Sequence, residues 1–319
     1  MQLTKNAKKV LESRILKKDE NGEVAETPEE MLKRVSTALT NVIGEQKEFF
    51  DVMKNLYFLP NSPCLANAGT GMPQLQACFV LPIEDSMESI FGTLADMARV
   101  FKSGGGVGFA LSRLRPKGDI VKTTGGYSSG PVSFLEPYNA AINAVKQGGR
   151  RKGAGLACIR VDHPDILEFI ECKKDNDKFN NFNISVAITD TFMQAVKENT
   201  DFNLINPRNG EVTKTLPAKE IWDKLVEGAW RNGDPGILFV DEISRHNPTP
   251  ELGEIESVNA CSEFHGLPYE SCNLGSINLT KIVTSDKEIN WDLLEKVARI
   301  ATRFLDNILD VTEYPLPQI

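Results

Sequence analysis

Cysteine and histidine are sparse in this sequence, and their spacing excludes several kinds of site. The 319 residues contain 6 cysteines and 3 histidines, and no two cysteines form a Cys-x-x-Cys pair. So few cysteines cannot build a secreted disulfide scaffold, and their spacing offers no structural zinc site. The spacing of His163, His246 and His265 is not that of a metal site, so we expect neutral, hydrogen-bonded histidines. The default expectation is a set of reduced thiols.

Long apolar runs are also missing. The sequence has no apolar stretch of about 18 residues, the length that a membrane helix needs. Residues 1–9 are polar with scattered charge, which is unlike a secretion leader. A hydrophobic content of 41% is nevertheless ample for a packed core. We therefore expect a cytoplasmic globular protein that does not bind membranes.

The chain also lacks the basic excess of a nucleic-acid-binding protein. It carries 36 Lys and Arg residues against 44 Asp and Glu residues, a formal net charge of −8. Binding to a duplex needs clustered basic side chains, so we expect no nucleic-acid partner. Basic residues cluster only in two Gly-rich stretches, where nucleotides are more plausible ligands. These residues are Arg113, Arg115, Lys117 and Lys122, and Lys146, Arg150, Arg151 and Lys152.

The pattern of apolar residues predicts an α/β protein with a helical start. Residues 1–59 read as a helical region, with a capping signal at Thr27, Pro28 and Glu30 and apolar residues at helical spacing up to Val42. In residues 60–319, strand-like apolar runs alternate with helical stretches, which predicts a mostly parallel sheet. A last helix is predicted over 291–309, with Asn290 as its N-cap. The strand-like runs are 77–83, 106–111, 156–161, 182–188, 236–240 and 272–279.

Three of the cysteines suggest redox chemistry. Cys261 has Asn259 and Glu263 two residues to either side, so in an extended segment the three side chains would share a face. A neighbouring carboxylate raises a thiol pKa, which disfavours a thiolate nucleophile but is compatible with a neutral thiyl radical. Cys272 follows closely, and Cys78 lies in an apolar run that could meet both. An arbitrary cysteine is more often a small buried apolar residue, the role that we expect for Cys64, Cys158 and Cys172.

Several separate motifs together resemble the catalytic chain of the ribonucleotide reductases. They cover the chain from about Leu3 onward in the family's order. The opening residues and the segment 17–22 resemble the adenosylcobalamin-dependent class more than the iron-dependent class, which stays the alternative radical source. The motifs are LPNSP at 59–63, ACFVLP at 77–82, SGGGVG at 103–108, DHPDI at 162–166, NACSE at 259–263 and SCNLGSINL at 271–279.

The resemblance implies a fold and a division of labour among the residues. It implies the first five-strand parallel half of the ten-stranded α/β reductase barrel, after the N-terminal helical region. Cys261 would become a thiyl radical that removes the 3′-hydrogen of a ribonucleotide, Glu263 would take the 3′-hydroxyl proton, and Asn259 would hold the substrate hydroxyls. Cys78 and Cys272 would supply two electrons and end as a disulfide, which an external dithiol such as thioredoxin resets.

Further residues match binding positions of that family. Substrate would be a ribonucleoside di- or triphosphate, bound by Ser62, Ala77 and Gly106 together with Asn259 and Glu263. From the sequence alone, Ser62 is equally well explained as a turn or cap residue. The glycines near Gly106 could simply permit close strand packing.

A second set of residues matches the family's allosteric specificity site. There a deoxynucleoside triphosphate bridges the subunits of a homodimer, and the loops 117–130 and 147–155 would carry its identity to the substrate. Solvated surface charge is the ordinary explanation of such residues. The set is Asp85, Ser86, Met87, Arg115 and Lys122.

The resemblance also implies that a second half of the barrel is needed. A half barrel leaves an open sheet edge and face, so we expect a separate C-terminal chain, a truncated chain or an interrupted one. The competing function is a nucleotide-binding and dimerisation module that is inactive without that second half.

Overall fold

The computed structural model describes residues 3–147, 151–175 and 178–319. Most of the helices pack into two apolar cores, one of which includes the outer face of the main sheet. Their bounds are α1 (Lys5–Arg14), α2 (Pro28–Ala38), α3 (Ile43–Lys54), α4 (Ser62–Asn67), α5 (Met87–Ser103), α6 (Pro131–Ala144), α7 (Ile166–Glu171), α8 (Asp190–Glu198), α9 (Ala218–Asn232), α10 (Val240–Arg245) and α11 (Trp291–Val311).

The strands form the main sheet and several short ribbons. Their bounds are β1 (Phe58–Pro60), β2 (Cys78–Leu81), β3 (Gly106–Ala110), β4 (Ile120–Val121), β5 (Gly126–Tyr127), β6 (Lys146–Gln147), β7 (Arg151–Lys152), β8 (Gly155–Arg160), β9 (Phe182–Ile188), β10 (Asp201–Ile205), β11 (Val212–Pro217), β12 (Gly236–Phe239), β13 (Ser257–Val258), β14 (His265–Gly266), β15 (Ser271–Cys272) and β16 (Gly275–Ile277).

The main sheet has the strand order β12-β9-β8-β3-β2-β15. Its first five strands are parallel to one another, and β15 is antiparallel to β2. The predicted five-strand parallel half is therefore confirmed. The run at 272–279 is not one strand of this sheet, because residues 273–274 separate β15 from β16, which pairs antiparallel with β1.

The two faces of the sheet differ in side-chain size. On β3, Val107 and Phe109 point into the large apolar core shared with the outer helices. The alternate residues Gly106, Gly108 and Ala110 face the other way, toward the segment around residue 258–260. Because successive strand residues point to opposite faces, this alternation leaves a shallow inner face that a loop can cover.

The N-terminal helices pack with the C-terminal helix in a second apolar core. Phe304 of α11 makes edge-to-face contacts with Phe49 and Phe58, at ring-centroid distances of 5.0 and 5.2 Å. This core holds β1 beside β16, and thus places residues 61–62 near the segment after Cys272. The division into residues 1–59 and 60–319 stays a prediction.

Two predicted helix ends can be compared with the structure. Thr27 and Glu30 form the predicted capping box of α2, and Asn290 caps α11 by accepting a hydrogen bond from the Leu293 amide. The prediction that the helical run reaches Val42 is wrong, because α2 ends at Ala38 and Val42 precedes α3.

Within residues 3–147, 151–175 and 178–319, no helix is both long and apolar enough to cross a membrane. The predicted basic group at 146–152 and most of the predicted loop 147–155 lie outside the side chains that the structure describes.

Candidate active site

A cavity of about 340 Å³ opens at the amino-terminal edge of the parallel strands. Cys78 and Gly106 are the first residues of β2 and β3, and Ala154 directly precedes β8. Every residue predicted to be catalytic or substrate-binding except Cys272 lines this cavity. Its lining includes Ser62, Ala77, Cys78, Gly106, Asn259, Cys261 and Glu263.

A hairpin carries Cys261 into this cavity. β13 and β14 pair antiparallel, and the 259–264 turn between them is closed by backbone and side-chain bonds of Asn259. The Asn259 amide donates to the Phe264 carbonyl at 3.1 Å, and the Phe264 amide donates to the Asn259 Oδ1 atom at 3.1 Å. Ser262 adopts a positive φ of 66°, which reverses the chain just after Cys261. Cys261 lies near the middle of this turn and is exposed.

The expectation of an extended segment at 259–263 is wrong. Because the chain turns at Ser262, the three side chains do not share a face by strand alternation. Asn259 is fully buried, whereas Cys261 is exposed. The turn still places all three side chains around one cavity.

Two small groups on the sheet let the hairpin approach. A Cβ atom on Gly108 would lie 1.7 Å from the Val258 carbonyl oxygen, so only glycine allows this contact. A Cβ atom on Gly106 would lie 3.2 Å from the Ala260 Cβ atom. Cys158, which we expected only to pack, also contacts the hairpin base, because its Sγ lies 3.4 Å from the Glu256 carbonyl oxygen. Glycines in a strand signal close backbone approach, but they do not identify the approaching segment.

The Cys78 thiol contacts two other residues of the predicted catalytic set. The Asn259 Nδ2 atom donates to its Sγ at 2.9 Å, and this Sγ lies 3.3 Å from the Glu263 Oε1 atom. Cys78 and Cys272 are directly opposite each other on β2 and β15. This is the neighbourhood from which two thiols can form a disulfide.

The surroundings of Cys78 keep its thiol protonated. The hydrogen bond with Cys272, burial, and the nearby charges of Cys272 and Glu263 raise the pKa of the Cys78 thiol far above its usual value. At neutral pH the group is thus a neutral thiol rather than a thiolate. The sequence predicts that Glu263 acts on the Cys261 thiol, whereas in the structure Glu263 lies against Cys78. A neutral thiol is a donor of hydrogen atoms and electrons, not a nucleophile of the cysteine-protease type.

Ser62 begins α4 but does not cap it. The cap is Asn61, whose Oδ1 accepts a hydrogen bond from the Cys64 amide at 2.9 Å. The Asn61 amide in turn donates to the Leu274 carbonyl at 2.8 Å, which fixes this segment beside the Cys272 strand. The cap explanation of Ser62 therefore does not hold, and its side chain belongs to the cavity wall.

The predicted effector residues lie after β2 and β3, at the opposite edge of the sheet from the cavity. Asp85 binds Arg115 twice, with its Oδ2 atom 2.8 Å from Nε and its Oδ1 atom accepting the Arg115 amide at 3.1 Å. Ser86 caps α5, and Met87 begins that helix with its side chain 55% exposed. Lys122 is exposed and, among the described residues, makes no hydrogen bond or ion pair to the other four.

Arg113 connects this region to the base of the hairpin. Its guanidinium forms an ion pair with Glu84, which precedes Asp85, and its Nη2 atom lies 2.8 Å from the Glu256 Oε1 atom. The three residues line a second cavity of about 720 Å³ at the carboxyl edge of the sheet. The basic clustering of the sequence pointed to Arg113, but its two acidic partners lie far away along the chain.

Comparison with known proteins agrees with this architecture. Residues 1–73 match the model of the ribonucleotide reductase all-alpha domain, and residues 76–319 match that of the ribonucleotide reductase barrel domain. All of the chain aligns with the vitamin B12-dependent ribonucleoside-diphosphate reductases of Thermoplasma acidophilum and Mycobacterium tuberculosis H37Rv, at 42% and 45% identity. A Caenorhabditis elegans ribonucleoside-diphosphate reductase large subunit is 32% identical over 93% of the chain, which covers 42% of that subunit.

The chain spans about half the length of these relatives, covering 50% of the Thermoplasma protein and 46% of the mycobacterial one. The barrel-domain match extends over most of the chain, residues 76–319, and includes the whole main sheet. The resemblance seen in the sequence motifs is thus confirmed. The chain belongs to the ribonucleotide reductase family.

Proposed function

We propose that this chain is the N-terminal half of a reductase that converts ribonucleotides to deoxyribonucleotides for DNA synthesis. The observation that carries the proposal is the environment of Cys78. Its thiol lies opposite Cys272 and contacts both Asn259 and Glu263, in the cavity that also holds Cys261. A radical thiol, a dithiol, a carboxylate and an amide are the groups that such a reduction needs.

The proposed reaction assigns one role to each group. Cys261, as a thiyl radical, removes the 3′-hydrogen atom and becomes a thiol. Glu263 accepts the 3′-hydroxyl proton while Asn259 holds the ribose hydroxyls, and the 2′-hydroxyl leaves as water. Cys78 and Cys272 supply two electrons and two protons and end as a disulfide, and the 3′-hydrogen then returns from Cys261. In sum, one ribonucleotide and one dithiol give one deoxyribonucleotide, one disulfide and one water.

The wall of the cavity supports a substrate site formed by Ser62, Ala77 and Gly106. Gly106 presents bare backbone, and the Ser62 hydroxyl is not used as the helix cap. The Thermoplasma, mycobacterial and Caenorhabditis relatives are all named ribonucleoside-diphosphate reductases, so we propose ribonucleoside diphosphates as substrates. Preference for triphosphates in a competition assay would reverse that choice.

We further propose adenosylcobalamin as the radical source and an external dithiol such as thioredoxin as the reductant. Cys261 is exposed in the 259–264 turn, which fits access by a large organic cofactor. When bound, adenosylcobalamin supplies the radical equivalent, and the protein positions the thiol that receives it. The 42% and 45% identical relatives are named B12-dependent, whereas the large subunit at 32% is not, so the iron-dependent alternative is less favoured.

A second candidate function is a nucleotide-binding and dimerisation module that does not turn over alone. It is favoured by the coverage of only 50% and 46% of the relatives and by the exposed side chains of β12, where Ile237 and Phe239 are 39% and 45% exposed. The two functions differ in whether adding a C-terminal chain produces deoxynucleotide formation.

The test combines this chain with the second half of a relative. We expect deoxynucleotide formation when both halves, adenosylcobalamin, dithiothreitol and a ribonucleoside diphosphate are present. This chain alone should give none. Binding of deoxynucleotides without any product in the complete mixture would favour the module instead.

The effector site gives a separate prediction. Because Asp85 holds both the side chain and the amide of Arg115, replacing Asp85 with alanine should release this arginine as well as remove a carboxylate. We expect deoxynucleoside triphosphates to bind roughly tenfold more weakly, which corresponds to the loss of one or two charge-assisted hydrogen bonds.

Calorimetric titration of Asp85→Ala with each deoxynucleoside triphosphate measures this change. The matched control is Asp223→Ala, which removes an exposed ion pair with Lys219 on α9; neither residue belongs to the proposed effector set. Equal affinities of Asp85→Ala and the control would remove Asp85 from the proposed effector site, as would a homodimer that forms and binds the effector unchanged.

A further inference from the structure

One polar side chain on the inner face of the sheet reaches the 259–264 turn from outside the hairpin. Asn183 is the second residue of β9, and its Nδ2 atom donates to the Ala260 carbonyl oxygen at 2.9 Å. Its strand neighbours Phe182 and Ile184 point into the outer apolar core. Asparagine is disfavoured in strands, so its presence here needs a local reason.

The accepting carbonyl belongs to the peptide that leads into Cys261. A peptide group is planar, so a bond that fixes the Ala260 oxygen also fixes the amide nitrogen and the Cα atom of Cys261. On its other side the turn is held by Asn259, which donates to the Cys78 thiol. The turn is therefore hydrogen-bonded to β9 through Asn183 and to β2 through Cys78. These two strands lie on either side of β8 and β3 in the sheet.

The surface of β3 below the turn does not fix the Ala260–Cys261 peptide in this way. At Gly106 the sheet approaches the turn closely, since an added Cβ atom would lie 3.2 Å from the Ala260 Cβ atom, but this apolar contact has no preferred direction. The position of Cys261 in the turn must therefore depend on hydrogen bonds, such as those of Asn183 and Asn259. A hydrogen bond of ordinary strength changes the population of a competing loop position by roughly three- to tenfold.

We propose that Asn183 is a positioning residue for the reaction of Cys261. It holds the Ala260–Cys261 peptide so that the Cys261 thiol points toward the substrate rather than toward Cys78 and Cys272. This inference rests on the proposed function for its consequence in turnover, but its geometric part concerns this chain alone. A merely structural role for Asn183 would consist of donating a hydrogen bond to the carbonyl of Ala260, a buried residue, with no effect on which thiols meet.

The first test follows disulfide formation in this chain. One oxidised glutathione takes two electrons from two protein thiols. The products are one protein disulfide and two molecules of reduced glutathione. In the unaltered chain we expect Cys78 to pair mainly with Cys272, which lies directly opposite. In Asn183→Ala and Asn183→Asp, which both remove the donor, we expect the share of disulfides that contain Cys261 to rise roughly three- to tenfold.

The matched control is Asn203→Ala. This asparagine also lies on a strand and accepts a hydrogen bond from Thr215, but it is on β10 and outside the hairpin's surroundings. Peptide mapping by mass spectrometry gives the disulfide shares, and thermal unfolding verifies that no variant has lost more than about 3 °C in Tm. Shares for both Asn183 variants equal to those of the control would overturn the proposal.

The second test uses the mixture with the second half. A displacement of the reacting thiol by about 1 Å can cost up to roughly a hundredfold in rate. We expect kcat to fall by at least about tenfold in Asn183→Ala while KM stays within about twofold, and the Asn203→Ala control to be unchanged. A loss confined to KM would overturn the positioning role. Failure of the unaltered mixture to turn over would instead contradict the proposed function, and the disulfide shares would still decide the role of Asn183.

Discussion

Ribonucleotide reduction by the two-half mixture is expected to disappear, by at least roughly 10⁴-fold, when Cys261 is replaced with serine. Serine preserves the size and polarity of the side chain, but its O–H bond is too strong to yield the radical that a thiol yields. No other thiol should substitute, because Cys78 and Cys272 supply the electrons in the proposed reaction and lie opposite each other on the sheet.

The measurement is deoxynucleotide formation under single-turnover and multiple-turnover conditions. Cys172→Ala serves as the control, since Cys172 lies outside the cavity and against the outer core. The Cys261→Ser chain should still form the Cys78–Cys272 disulfide with oxidised glutathione, which shows that the rest of the site is intact. Activity above about 1% of the unaltered chain would place the radical on another residue.

Much of the sheet and the identity of the candidate site follow from local sequence patterns. The five parallel strands correspond to short apolar runs separated by helical stretches, and the last helix begins at its predicted cap Asn290. The motif predicted that the cysteine, the amide and the carboxylate act together, and the structure places all three side chains around one cavity. What motif reading misjudged was local geometry, since the chain turns at Ser262 where an extended segment was expected.

The contacts that position the site could not be predicted in the same way. Asn183 meets Ala260, and Cys158 meets Glu256, only because the hairpin folds back over β8 and β9. The partners of these two contacts are 77 and 98 residues apart along the chain. The same holds for the raised pKa of Cys78, whose cause lies in residues that follow it by more than 180 positions. Such pairings depend on the register of the whole sheet, which no local pattern encodes.

The largest expected effect on stability comes from adding one methyl group at Gly108. A Cβ atom there would lie 1.7 Å from the Val258 oxygen and 2.8 Å from the Val258 carbonyl carbon, both of them backbone atoms. Because no rotation of a side chain can relieve this clash, β13 must move away from β3. We expect Gly108→Ala to lose about 3 kcal/mol of unfolding free energy, which is a shift of about 1 M in the urea midpoint.

A graded series of alanine substitutions separates this clash from the general effect of replacing a glycine. Gly44→Ala, where nothing lies within 4 Å of the added atom, should be neutral or slightly stabilising. Gly106→Ala, with its 3.2 Å contact to the Ala260 side chain, should fall between the two. Since a displaced hairpin also frees Cys261, Gly108→Ala should raise the share of Cys261 disulfides more than Asn183→Ala does. A urea midpoint and a disulfide pattern equal to those of Gly44→Ala would show that the hairpin does not rest on β3 at this point.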